Sequence, residues 1–301
     1  MIKLGMVDLC TSHPASWLPI FKEVEDADVV AVHDSGGVRP DDYASEFAEE
    51  HGTETVTDSI EEMVPLVDAA IVHSANWDIH LPHALPFIEA GIPTLIDKPM
   101  VGNLRDLHEL LRLQARHGTM IMGGSSVRYA AEVQELVAVR DEMDHIGAAW
   151  CHGRGDFFNY GIHTIEMFQG FFGAGVRSVE HVGQNGPMDV FRADYEDGLP
   201  VFFGLGAVSN RWFLSITASE GVFAREFTTG DNYRRLIEAW LEALRSGEAP
   251  ISLEDNLEAV KIALAAKCSR REGTICYLED LDSDERFDGR VFAEDYAKMR
   301  Q

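Results

Sequence analysis

Five stretches of the chain carry side chains whose types and spacing invite chemistry. Asp8-Leu-Cys-Thr11-Ser12-His13, His33-Asp34-Ser-Gly-Gly, His73-Ser74-Ala-Asn76 and Asp97-Lys98-Pro99 each follow a short apolar run, and Asn159-Tyr160-Gly-Ile-His163-Thr-Ile-Glu166 opens a later one. In an open parallel sheet the ligand crevice lies beyond the carboxyl ends of the strands, so polar residues gathered there are the first candidates for a site. Asp34 stands where a carboxylate accepts hydrogen bonds from an adenine ribose diol, although Asp-Ser-Gly-Gly is also turn chemistry. Amides opening a helix after Thr11-Ser12 suit a phosphate. Asp8 raises the electrostatic cost there unless a cation, a protonated His13 or a rotamer pointing away relieves it. The glycine fingerprint GxGxxG expected after the first strand is missing. Histidine as a residue type suits proton transfer at neutral pH, which makes His163 a candidate acid/base. Glu166, three residues on, shares its helical face and either orients the imidazole or pairs with a buried arginine.

Composition narrows the partners. With 25 Lys+Arg against 51 Asp+Glu the formal charge is 25 − 51 = −26, which repels phosphate backbones and anionic lipid headgroups, and no basic run offsets it. The expectation is no nucleic acid and no membrane. No stretch reads as a signal peptide or a membrane span, so the reading is cytoplasmic. The four cysteines, Cys10, Cys151, Cys268 and Cys276, form no CxxC pair and are expected as free thiols. Asp8, His13, His33, His73, His80 and His83 all fall near one sheet edge, but no HxH or HExxH spacing occurs, and no metal is expected.

Stepping from side chains to the elements that must hold them, residues 1–124 alternate β-rich apolar runs with helical patterns, which predicts βαβ units in a parallel sheet. Strands are expected at 2–7, 29–32, 53–56, 69–72, 94–96 and 119–122, and helices at 16–25, 41–50, 79–90 and, capped by Asn103, to about Arg116. Residues 125–301 read as an α+β domain: a strand at 148–153, a Gly-bounded helix at 162–172, and an antiparallel sheet from strands at 176–182, 188–195, 201–208 and 211–227. Helices at 233–245 and 253–271 follow. The fold class expected is α/β, a Rossmann-type doubly wound sheet followed by an α+β domain with a mostly antiparallel open sheet.

The segment Ala90-Gly-Ile-Pro-Thr-Leu-Ile-Asp-Lys-Pro99 resembles the signature of the Gfo/Idh/MocA oxidoreductases. Val67 to Asn76 is similar to that family's fourth strand leading to an asparagine near the nicotinamide. Tyr160 to Glu166 resembles its second-domain motif D-x-G-x-H, and Ser252 to Cys276 its closing helix and last strand. The resemblance therefore runs along nearly the whole chain. It implies an NAD(P)-dependent oxidoreductase acting on a secondary hydroxyl of a sugar, cyclitol or related polyol, with NAD or NADP as cofactor. It also implies a homo-oligomer, a dimer or tetramer.

On that resemblance Lys98 polarises the reacting hydroxyl and His163 is the acid/base, with Asn159, Tyr160 and Glu166 as altered catalytic partners. Pro99 biases the backbone of Lys98 away from helix. Asp8, Thr11, Ser12, His13, Asp34, Ser74, Asn76, Asp97 and Lys98 make the cofactor set, and Arg128 and Tyr129 the substrate contacts. Asn159 departs from the family's aspartate and cannot accept a proton. That departure and the missing glycines keep two alternatives open: a redox-inactive ligand-binding or regulatory protein of the same fold, and NAD-assisted glycoside elimination or hydrolysis.

Overall fold

Six runs rich in Val, Ile, Leu and Ala make a fully paired parallel sheet because both of its faces are covered by helices. The computed structural model describes residues 1–206, 209–228 and 230–300, the last without its side chain. In chain order the first run of elements is β1 (Ile2–Val7), α1 (His13–Phe21), β2 (Ala27–His33), α2 (Tyr43–His51), β3 (Thr55–Val56), α3 (Ile60–Met63), β4 (Ala69–Val72), α4 (His80–Glu89), β5 (Thr94–Asp97), α5 (Leu104–His117) and β6 (Ile121–Gly124). Their strands lie in the order β3-β2-β1-β4-β5-β6, all parallel, so the switch in winding falls between β1 and β4. All four residues of β4, β5 and β6 are buried. The cap of α5 is as expected: the Asn103 side chain accepts a hydrogen bond from the Asp106 amide at 2.9 Å, and Gly118 ends the helix in the left-handed region. Leu104, Leu107, Leu110 and Leu113 recur every three residues and bury one face of it.

The second run comprises α6 (Ala131–Ala138), β7 (Ile146–His152), α7 (Gly161–Phe172), β8 (Val176–Asn185), β9 (Met188–Tyr195), β10 (Pro200–Leu205), β11 (Trp212–Ala218), β12 (Gly221–Phe227), α8 (Asn232–Ser246), α9 (Leu253–Glu272), β13 (Cys276–Tyr277) and α10 (Gly289–Arg300). Its seven strands run β12-β11-β7-β10-β9-β8-β13, with only the β10–β7 pair parallel. Alternate residues of β9 are buried, the signature of a sheet with one covered face. Phe168 of α7, Phe203 of β10 and Phe191 of β9 stack through this core, with ring centroids 5.6 and 5.4 Å apart.

The chain divides into two compact units at Gly124/Ser125, but the division is not one cut. The first unit is Met1–Gly124 with Leu236–Leu253 and Asp288–Gln301; the second is Ser125–Arg235 with Glu254–Phe287. Within the first unit the later segments are tied in: Arg245 pairs with Asp26 at 2.8 Å, the Gly289 amide donates to Asp78 at 3.0 Å, and Phe292 packs on Trp77.

Several expected boundaries move. Helix α1 begins at His13 rather than Ser16, because Pro14 supplies a helical φ in the first turn and has no amide to satisfy there. The single strand expected at 211–227 is a hairpin, turning at Ser219-Glu220, whose centre has no glycine or proline to signal it. The strand expected to reach Val208 ends at Leu205, and Ala207 and Val208 lie outside the described residues. Cys10 and Cys151 are free and buried, whereas Cys268 and Cys276 form a disulfide, correcting the expectation of four free thiols. The turn after α9 brings their Cα atoms to 6.4 Å, a proximity their spacing alone does not reveal.

Candidate active site

Strand β1 delivers Asp8 to the switch point with φ +64°, a left-handed conformation that aspartate tolerates only when its side chain is held locally. Here Oδ1 accepts the Ser35 amide at 3.0 Å and Oδ2 lies 2.9 Å from His83 Nδ1. Burial alone raises this carboxyl, but the hydrogen bond and charge of His83 outweigh it and leave the pKa lowered. Two residues on, Cys10 Sγ accepts the Ala75 amide at 3.1 Å, and burial pushes its thiol up to about 12. Asp8, Cys10 and His13 therefore carry the G-x-G-x-x-G spacing with side chains at all three glycine positions, a register the sequence reading missed.

Asp97, at the end of β5, anchors a second cluster. Its Oδ1 accepts the Lys98 amide at 2.8 Å; its Oδ2 lies 2.5 Å from His13 Nδ1 and 3.5 Å from His73 Nδ1. Burial raises this carboxyl, yet the charge and hydrogen bonds of the two histidines hold it well below the usual range. Burial also lowers the His73 pKa against the pull of Asp97. Trp17 packs on both rings, stacked with His13 and edge-on to His73. The Lys98–Pro99 peptide is cis.

Asp34 is half-buried at the end of β2. Burial and the nearby Asp8 charge raise its pKa, and Oδ1 faces the Gly36 amide at 3.4 Å. Arg39, five residues on, lies over the Tyr43 ring at 4.6 Å with its buried Nε lacking a hydrogen-bond partner. A carboxylate at the end of the second strand is the kind of acceptor that a ribose diol takes. Thr11 Oγ1 accepts the His13 amide, Ser74 Oγ accepts the Asn76 amide, and Asn76 Oδ1 accepts the Asp78 amide. Those three side chains hold the loops around the switch point in shape. Ser12 is the N-cap residue of α1 and makes no side-chain cap bond.

In the second unit the expected histidine has a partner that the sequence reading overlooked. His163, in the first turn of α7, places Nδ1 2.6 Å from Ser125 Oγ, and that hydroxyl also accepts the Val127 amide at 3.0 Å. The imidazole is thus held by residues 38 positions away, in the loop after β6. Glu166 faces elsewhere: it accepts the Ser125 amide at 2.9 Å and Arg128 Nε at 3.0 Å. Arg128, expected as a substrate contact, is buried and also donates to Gln169. Tyr129 has a buried hydroxyl without a partner, and burial raises its pKa.

Asn159 and the backbone of Tyr160 are gathered by Asp156, whose carboxylate faces them at 3.4 Å. Tyr160 and Trp212 flank His163 at 5.8 and 5.5 Å, and the Arg154 guanidinium lies over both aromatic rings at 5.1 Å. Gly153 and Gly155, on either side of Arg154, are the sequence signal that could have revealed this wall: a Cβ on the first would strike Trp212, and on the second Tyr160. A concavity of about 940 Å³ in the same unit, lined by Arg140, Asp144, Phe172 and Pro200 among others, includes none of these residues.

Residues 3–125 match the family model described as oxidoreductase family, NAD-binding Rossmann fold, the Gfo/Idh/MocA group. This part of the chain is similar to the NAD-binding Rossmann domain of that family. A stretch of 159 residues, 51% of the chain, is 28% identical to a protein of Amycolatopsis mediterranei named as a UDP-kanosamine synthase oxidoreductase subunit. A further match of 79 residues, 26% of the chain, is 33% identical to the oxidoreductase YceM of Salmonella typhimurium. These matches span 42% and 25% of the two relatives' own lengths, less than half in each. Among solved structures, scyllo-inositol dehydrogenase from Lactobacillus casei with NAD(H) and scyllo-inositol aligns with TM-score 0.80, over 93% of this chain and 100% of that one, at 16% identity. Myo-inositol 2-dehydrogenase from Lactobacillus plantarum aligns with TM-score 0.78 over 92% and 99%, at 15% identity. At such identities the likeness establishes the fold, α/β throughout. No helix among the described residues is long and apolar enough to cross a membrane.

Proposed function

We propose that the protein is an NAD-dependent dehydrogenase of a secondary hydroxyl on a cyclitol, sugar or related polyol. The observation that carries this reading is His163, fixed by Ser125 at 2.6 Å at the start of α7 and walled by Tyr160 and Trp212. Bound NAD supplies the hydride acceptor. With Nδ1 committed to Ser125, His163 takes the hydroxyl proton at Nε2 while the hydride leaves the same carbon. Asp34 accepts the ribose hydroxyls, and its charge disfavours a 2′-phosphate, so NAD is preferred to NADP. The inositol dehydrogenases that share the fold support a cyclitol as the first substrate class to test.

The assay is NADH formation from NAD and a panel of inositols, aldoses and polyols. Turnover of at least one is expected, and His163→Asn should lower kcat by about 100-fold or more with the fold retained. Failure of NADH to bind at millimolar concentration overturns the dehydrogenase reading. Cofactor that copurifies and never exchanges supports instead the elimination or hydrolysis alternative. A homo-oligomer through the open sheet of the second unit is tested by light scattering on the eluting protein.

A further inference from the structure

The sequence carries no local metal motif, yet the fold gathers three side chains of metal-ligating type at neighbouring strand ends. His13 opens the helix after β1, His73 follows β4 and Asp97 ends β5, which are neighbours in the sheet, and their ligand atoms lie within 4.8 Å of one another. We propose that these three residues bind one divalent d-block cation, zinc foremost, and leave a fourth coordination position for water or another small oxygen ligand.

The strongest ground is His73. Its side chain is 0% exposed, Nε2 has no hydrogen-bond partner, and Nδ1 faces only Asp97 Oδ2 at a long 3.5 Å. A buried imidazole left in that condition is costly, and most buried polar groups avoid it. A cation accepting its lone pair removes the cost. The spacing fits as well. Ligands at about 2.0–2.1 Å in a tetrahedral zinc site lie roughly 3.3 Å from one another. Asp97 Oδ2 stands 2.5 Å from His13 and 3.5 Å from His73, so a small outward shift of His13 admits the ion. The supporting shell is in place: the Lys98 amide holds the other oxygen of Asp97, and Trp17 packs against both imidazoles.

The donor set selects the metal class. Two imidazoles and one carboxylate suit zinc and its d-block neighbours, whereas magnesium and calcium favour all-oxygen sites. A second group, Cys268, Glu272 and Cys276, also converges. Its two sulfurs are joined to each other, so it offers no thiolate pair.

This proposal stands apart from the dehydrogenase reading, because it is tested with metal alone. The full-length protein, with any tag removed, is dialysed against EDTA and titrated with zinc chloride in competition with a chromophoric chelator. One zinc per chain with micromolar or tighter affinity is expected. His73→Phe should weaken binding about 100-fold or more, while Cys268→Ser should leave it unchanged. His13→Asn gives the same reading should His73→Phe fail to fold. Cobalt added to the wild-type protein should show intense tetrahedral d–d bands without a thiolate charge-transfer band. Absence of a stoichiometric zinc site, equal affinity in folded His73→Phe, or only weak octahedral cobalt bands overturns the proposal.

Discussion

Asp8 is the residue at which backbone, charge and ligand chemistry meet. Its left-handed backbone is held by Ser35 and its carboxylate by His83, so Asp8→Asn should destabilise the protein by about 1–3 kcal/mol at neutral pH. The pH dependence follows from the lowered pKa. A carboxyl held below its ordinary 3.8 adds stability that is fully present above that value and is lost as pH falls through the folded value. Denaturant titrations of the two proteins should therefore differ at pH 7 and converge in strong acid. Asp34 makes a second prediction at this scale: Asp34→Ala should weaken NADH binding about tenfold and narrow the preference over NADPH, read by fluorescence titration. Neither arrangement was fully legible. The polar strand ends were, because each follows a buried run. The pairings Asp8–His83 and His13–Asp97 span 75 and 84 residues, and only the crossover topology brings them together.

Among the elements, those governed by local chemistry were the most readable. Asn103 and the leucine spacing after it announce α5 directly, and Asn103→Ala should cost about 1 kcal/mol, measurable as a lower unfolding midpoint with unchanged denaturant dependence. The parallel sheet was implied by the βαβ alternation, since parallel neighbours need crossover helices, whereas the order β3-β2-β1-β4-β5-β6 is seen only in the fold. Less readable were features set by packing at a distance. The Ser219-Glu220 turn has no glycine or proline at its centre; the Ser219 amide instead donates to the His145 carbonyl and the Glu220 carboxylate accepts the Asp144 amide. Ser125 looked like a boundary residue, and only the approach of α7 makes it the holder of His163.

At the scale of the whole molecule the cysteines give a direct check on the fold. Denatured without reductant, the chain should titrate two thiols, Cys10 and Cys151, and after reduction all four. Four reactive thiols before reduction would remove the Cys268–Cys276 link. The net charge of −26 repels polyanions at every approach, and within the fold His83 stands against Asp8 and His13 against Asp97. The division into units has a consequence in time. During synthesis residues 1–124 leave the ribosome early, but the segment that packs on Trp77 and donates to Asp78 Oδ2 emerges only after the residues of the second unit. The domain begun first is therefore completed only after the second has been made, and until then the nascent Rossmann sheet waits with Trp77 uncovered.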